Sequence, residues 1–161
     1  MKENKQSAGN ETVQMVGFTV TGEEYGVEIL KVREIIRMVQ ITRIPNTPGH
    51  VEGVINLRGQ VIPVIDFKKR FNLASKGEGN VKERRIVVVA INGMTIGLTV
   101  DKVSQVFKLT DKQISPPPGA IRSDIEQCIS GVGKLDGRLV ILLRLEELFA
   151  EEELAAIGRA A

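Results

Sequence analysis

Two stretches decide how this chain is read: residues 53–71, GVINLRGQVIPVIDFKKRF, and residues 131–149, GVGKLDGRLVILLRLEELF. They align without a gap at an offset of 78 (131 − 53), so that Gly53, Val54, Leu57, Gly59 and Phe71 meet Gly131, Val132, Leu135, Gly137 and Phe149. A second match lies upstream of each. Gly22, Gly26, Ile29, Val32 and Ile35 meet Gly93, Gly97, Val100, Val103 and Val106 at an offset of 71 (93 − 22). One such match would follow from the composition of any two strand–turn–strand units; two in the same order imply a duplication. Each half reads as a hairpin whose glycines make the turn, then a linker, then a second glycine-bounded turn into a buried strand and a short helical piece.

Outward from these repeats the chain is a series of short β-branched runs broken by Gly, Asn and Asp: MVGFTV, YGVEI, VQITRI, VIPVI, RRIVVVAI, TIGLTV, VSQVFKL and LVILL. Short strands at close spacing argue for an all-β fold. Thr21-Gly22-Glu23-Glu24 and Asn92-Gly93 have hairpin-turn composition. LKVREIIRMV, from Leu30, has helical spacing, but its counterpart in the other half is strand-prone, so it is expected to form a turn and then a strand. The first 12 residues are polar and breaker-rich, and residues 1–12 are assigned to a flexible tail. Leu145, Leu148, Phe149, Leu154 and Ile157 recur at helical spacing and predict a C-terminal helix over 145–159. Residues 13–150 are expected to form one domain of two intertwined β subdomains, roughly 13–80 and 81–150.

Composition excludes several functions. The 22 Lys and Arg nearly cancel 20 Asp and Glu, and a net charge of +2 gives little attraction for nucleic acid. Five Phe, one Tyr and no Trp supply few stacking platforms for single strands. A single cysteine, Cys128, and no apolar leader fit a cytoplasmic protein without an internal disulfide. No apolar run approaches the roughly 20 residues of a membrane span. His50 is the sole histidine and has no second His or Cys near it in sequence, which leaves no metal cluster and no Cys-His pair, and it is placed in a surface turn or linker. Gly131-Val-Gly133-Lys134 fails the phosphate-loop pattern at the first glycine and at the hydroxyl residue. Glu146 and Glu147 read as the solvated face of the terminal helix, and Pro116 to Pro118 as a stiff extended connection. No catalytic residue and no cofactor is assigned.

Where the halves differ, specialised work is sought. Arg58 stands opposite Asp136, Asp66 opposite Arg144, and Lys68 and Lys69 opposite Glu146 and Glu147. For the lysines and glutamates, drift on a solvated surface is the plain explanation. Arg58 lies at a glycine-bounded turn, where its guanidinium can pair in bidentate fashion with a carboxylate, and Glu34 is the first partner to test.

These same residues carry a resemblance. GEEYGVEILKVREI, ITRIPNTPGHVEGVINLRGQVIPVIDFKKRF, GLTVDKV, QISPPP and GVGKLDGRLVILL are together similar to the CheW family of bacterial chemotaxis coupling proteins, over about residues 16–148. The resemblance implies two five-stranded SH3-like β barrels and no enzymatic activity. It also implies a monomer that links the cytoplasmic tips of chemoreceptors to the regulatory domain of the histidine kinase CheA and joins receptor arrays as a ring component. By position it places Val16, Ile29 and Val32 in a kinase-binding region and Gly53, Arg84, Arg85, Gly97, Val103 and Val106 at or near receptor contacts. Glu34 and Arg58 match a paired set of charges important for coupling. Arg144 departs from the acidic or amide residue many relatives carry there. The regulatory domain of a CheA-type kinase shares the expected fold and is the alternative reading.

Overall fold

The computed structural model describes residues 11–47, 49–73, 80–117, 127–149 and 155. Strands come in the order β1 (Thr12–Val20), β2 (Glu23–Glu28), β3 (Val32–Arg37), β4 (Val51–Leu57) and β5 (Gln60–Asp66). After a four-residue helix α1 (Phe67–Arg70) follow β6 (Arg85–Ile91), β7 (Met94–Val100), β8 (Lys102–Thr110), the two-residue β9 (Ile114–Ser115), β10 (Ile129–Leu135) and β11 (Arg138–Leu143). The segment from Leu30 onward makes a 3-10 turn at Ile29–Lys31 and then strand β3. VQITRI does not form a strand; only Thr42 makes an isolated bridge, to Val54. Thr12 already pairs with Thr110, so β1 takes the last residue assigned to the tail, whose residues 1–10 lie outside the described ones.

Four hairpins close by one rule. Thr21-Gly22, Arg58-Gly59, Asn92-Gly93 and Asp136-Gly137 each place both turn residues at positive φ, between +49° and +87°. Two consecutive left-handed residues give the turn whose twist matches that of the flanking strands, and glycine at the second position removes half of the steric cost. Asn or Asp tolerates the first position best, so Arg58, at φ +52°, carries more strain than Asp136 in the equivalent turn.

The strands assemble into two sheets, ordered β8-β1-β2-β11-β10-β9 and β3-β6-β7-β5-β4. Under the sequence repeat, β1 to β5 correspond to β6, β7, β8, β10 and β11, but the strands pair differently from what a simple halving suggests. Each sheet takes its central hairpin from one repeat and its other three main strands from the other. The division at residues 80 and 81 is therefore corrected: β1 and β2 belong with the C-terminal strands, and β3, β4 and β5 with β6 and β7. The physical cause lies at the two hairpin exits. After β2 and again after β7 the chain crosses to the opposite sheet within a few residues. Equivalent irregularities confirm the repeat: register shifts fall at Val51/Gly53 and Ile129/Gly131, and the parallel pairs Val64 with Gly97 and Leu142 with Gly26 occupy matching sites. The backbone amides of Asp66 and Arg144 likewise donate to the carbonyls of His50 and Cys128, at 2.9 and 2.7 Å.

Alternation along the strands separates three cores. Ile55, Ile62, Val64, Ile86 and Val88 fill one subdomain, and Met15, Phe107, Leu109, Leu135, Val140 and Leu142 the other. Buried residues on other strand faces and in the turn after β11, including Phe18, Val87, Val89, Leu98, Leu143 and Leu145, meet in a larger shared core. Phe18, Tyr25, Phe67 and Phe71 form an aromatic chain through it, with successive centroids 4.8 to 5.8 Å apart. Full burial of a side chain of this size contributes roughly 1.5–3 kcal/mol, and Phe18 and Phe67 are both almost wholly enclosed. Burial, and after it the charge of Glu23, pushes the Tyr25 phenol up to about 12.

At the end of the described chain, Leu145–Glu147 form a 3-10 turn with Leu145, Leu148 and Phe149 buried. Arg70, at the end of α1, donates to the Leu148 carbonyl and lies 5.1 Å from the Phe149 ring, against which His50 also stacks. Leu154, Ile157 and Pro118 lie outside the described residues.

Because each sheet needs strands from both repeats, neither repeat can form its own core. A chain ending at residue 80 should remain unfolded by circular dichroism, and the whole chain should unfold in urea as a single transition seen alike by far-ultraviolet and tyrosine signals.

Candidate functional site

The structure brings Glu34 and Arg58 together. Glu34 sits on the edge strand β3, and Arg58 in the β4–β5 turn at the opposite edge of the same five-stranded order. Curling of the sheet, fixed by paired backbone bonds of 2.9 Å between Thr42 and Val54, brings these edges close. Arg58 Nη1 donates to Glu34 Oε1 at 3.1 Å while Nη2 donates to Oε2, a bidentate pair on the surface. The Arg58 hydrogen bonds hold the Glu34 carboxyl below the usual carboxylate range. The turn beneath is braced by Gly59 N donating to Asn56 Oδ1 at 2.8 Å. The other repeat has Gln105 and Asp136 at the matching positions, so this clamp is confined to one subdomain.

The inverted charges also find partners. Lys68 lies 3.3 Å from Asp101 beside the β7–β8 crossover, and Glu146 pairs with Lys31 beside the β2–β3 crossover. Asp66 caps α1 by accepting from Lys69 N, whereas Arg144 Nη1 donates to the Gln127 carbonyl. Drift on a solvated surface does not describe Lys68 and Glu146, since each is matched to a charge of the opposite sign.

The remaining site residues divide by burial. Ile29 and Val32 pack on the shared core with part of their surface exposed, and Leu30 between them is 89% exposed. Val103 has the same half-buried setting as Val32, and Val106 is 50% exposed. Arg84 and Arg85 are half-buried at the start of β6. Val16 is 2% exposed and belongs to the shared core, which corrects its placement on a binding surface. Gly53 and Gly97 are likewise buried. A Cβ on Gly97 would come within 2.7 Å of Ile86, and one on Gly53 within 2.1 Å of the Thr42 carbonyl oxygen, with φ at +150°. Both glycines set backbone spacing and present no side chain to a partner.

Sequence reasoning missed the exposed Leu30 and a recess lined by Arg37, Met38, Val81, Lys82, Arg84 and Arg85. The cluster Lys82-Glu83-Arg84-Arg85 was a visible signal for the second; its pairing with Arg37 was not, because it depends on register. Among the described residues no group of three or more His, Cys, Asp or Glu could hold a metal ion, and no helix is long and apolar enough to cross a membrane.

Known proteins resemble this chain in sequence and in fold. The model of the CheW-like domain matches residues 14–153. The chain belongs to the CheW-like family. It is 39% identical to a chemotaxis protein CheW of Klebsiella aerogenes, covering 89% of this chain and 86% of that protein. It is 36% identical to one of Helicobacter pylori, covering 92% and 88%. The crystal structure of the scaffolding protein TtCheW from Thermoanaerobacter tengcongensis aligns with a TM-score of 0.79 at 38% identity, over 89% of this chain and 96% of that one. The two sheets are thus the two SH3-like β subdomains of a CheW-like fold.

Two outcomes test the local geometry. Gly53→Ala should lower stability by about 2–3 kcal/mol, read from the urea midpoint, since an alanine must adopt a strained φ and displace the Thr42 carbonyl. For the ion pair, the Glu34 pKa is lowered in the folded state. Its contribution is therefore present above the ordinary glutamate pKa and lost as pH falls through the lowered value. In Arg58→Ala, the Glu34 carboxyl should titrate at higher pH by carbon-detected NMR, with little change in melting temperature.

Proposed function

We propose that this chain is a non-catalytic adaptor of bacterial chemotaxis, coupling the cytoplasmic tips of chemoreceptors to a CheA-type histidine kinase in membrane-associated arrays. The observation that carries the reading is the match to the two proteins named chemotaxis protein CheW over 86% and 88% of their own lengths. The solved relative is itself named a scaffolding protein, which supports the same role.

On this reading Ile29 and Val32, with Leu30 between them, form the apolar kinase-facing patch, since exposed contiguous apolar surface of this kind marks partner contacts. Arg84, Arg85, Val103 and Val106 face the receptor. Val16, Gly53 and Gly97 act from within, holding the strands that carry these surfaces. Glu34 and Arg58 form the coupling element: a guanidinium fork fixes the orientation of its carboxylate partner, so the pair offers a partner a preset polar edge. A strained left-handed arginine where an asparagine or aspartate would fit more easily is consistent with selection for something other than folding.

The test is reconstitution with receptor-containing membranes and a CheA-type kinase. The chain should co-sediment with both and place kinase autophosphorylation under receptor control; absence of co-sedimentation overturns the proposal. Arg58→Ala should melt within about 2 °C of the parent yet lose most receptor control of the kinase. The double exchange Arg58→Glu with Glu34→Arg should restore part of it if the pair itself is what counts. No rescue would assign Arg58 to direct contact with a partner.

A further inference from the structure

We infer that the recess lined by Arg37, Met38, Val81, Lys82, Arg84 and Arg85 is a docking site for an acidic segment of a partner protein carrying at least one apolar side chain. The recess lies where β3 ends and β6 begins, and its volume is about 450 Å³, room for a few side chains. Arg37 and Arg85 are direct cross-strand partners in the β3–β6 pair. Like charges placed opposite each other destabilise an antiparallel pair, so the cross-strand contact itself does not favour this arrangement. Lys82 and Arg84 add two more cations, and no carboxylate among the described residues lines the recess. Glu83, in the same 3-10 turn, pairs instead with Lys102 at 3.7 Å.

Arg85 is held in place. Its Nη1 donates to the carbonyls of Lys82 and Arg84, both at 2.8 Å, which orients the guanidinium before any partner arrives. Preorganisation of this kind reduces the ordering cost of binding. Met38 and Val81 supply the apolar part of the lining, and Val81 is 67% exposed. Carboxylates satisfy the cations, and a leucine or valine side chain covers the apolar lining. Nucleic acid fits less well, because no aromatic ring among the described residues lines the recess and the chain carries a net charge of only +2. A lipid surface fits less well too, since the cations line a hollow with room for only a few side chains. The inference rests on the adaptor reading only in taking the segment to belong to a partner in that assembly. Arg84 and Arg85 are shared with the receptor-facing surface; Arg37, Met38, Val81 and Lys82 are not.

The test uses the full chain and a short fluorescent peptide of alternating glutamate and leucine or valine, followed by anisotropy. Saturable binding at low salt that weakens about tenfold or more at physiological salt is expected, with none for the same peptide carrying glutamine for glutamate. Arg37→Glu places a carboxylate opposite Arg85, so it should melt at the same temperature or higher while binding the peptide about tenfold more weakly or worse. Lys82→Glu, on an exposed residue, should weaken binding without loss of fold. Peptide affinity unchanged in both variants overturns the assignment. So does binding of a duplex oligonucleotide or of phosphatidylserine vesicles through these residues when the peptide does not bind. Co-sedimentation of the parent with receptor membranes and kinase is run alongside. If the parent fails there but binds the peptide through these residues, the adaptor reading falls and the recess stands. If the parent sediments and the peptide binding is insensitive to Arg37→Glu and Lys82→Glu, the recess alone falls.

Discussion

The rest of this structure depends on the two points where the chain leaves a hairpin and crosses to the other sheet. Residues 29–31 carry it from β2 to β3, and Asp101 carries it from β7 to β8. Without those crossings the duplication would give two separate small barrels, each with a thin core and an unpaired edge. With them, β1, β2, β6 and β7 present one face to their own subdomain and the other to a shared interior built around Phe18, Phe67 and Leu98. The fraction of surface buried rises with the size of the folded unit, so a shared interior buries more than two separate small barrels would. The shared interior also fixes the angle between the subdomains, so surfaces on both are held as one rigid unit.

That rigidity gives the exposed features their meaning. On the proposed adaptor reading, the chain would act through where it holds its partners. Glu34 and Arg58 span the two edges of one curled sheet, so their relative position reports how that barrel closes. The recess at Arg37 and Arg85 lies on the same sheet, at the far end of β3 from the crossover. Glu34 and Arg37 are therefore linked through a single strand that pairs with β6.

Much of the fold was legible because duplication doubles each signal. Gly53 and Gly131 occur at matching places, and both mark register shifts. Thr21-Gly22 and Asn92-Gly93 announce their turns by composition. What could not be read was the exchange of strands between repeats. Repeats that pair internally and repeats that trade strands have the same hydrophobic pattern, and only the brevity of the crossovers distinguishes them. The false strand VQITRI has the right composition, but the edge of β4 offers it a single bridging position, at Val54. Among site residues, the Arg58–Glu34 contact could be argued from turn chemistry. The burial of Val16, Gly53 and Gly97 could not, since a half-buried β strand gives no sign of which face a partner would meet.

The inverted charges around the crossovers have a consequence for how the chain finds its fold. If the hairpin β1–β2 docked against β5 of its own repeat, Lys68 would be brought toward Lys31. If β6–β7 docked against β11, Glu146 would be brought toward Asp101. Both mispairings set like charges together, whereas the native exchange gives Lys68 to Asp101 and Glu146 to Lys31. Two repeats descended from one sequence would otherwise compete for the same partners as they emerge in order from the ribosome. Opposite signs at these two positions give each hairpin an address.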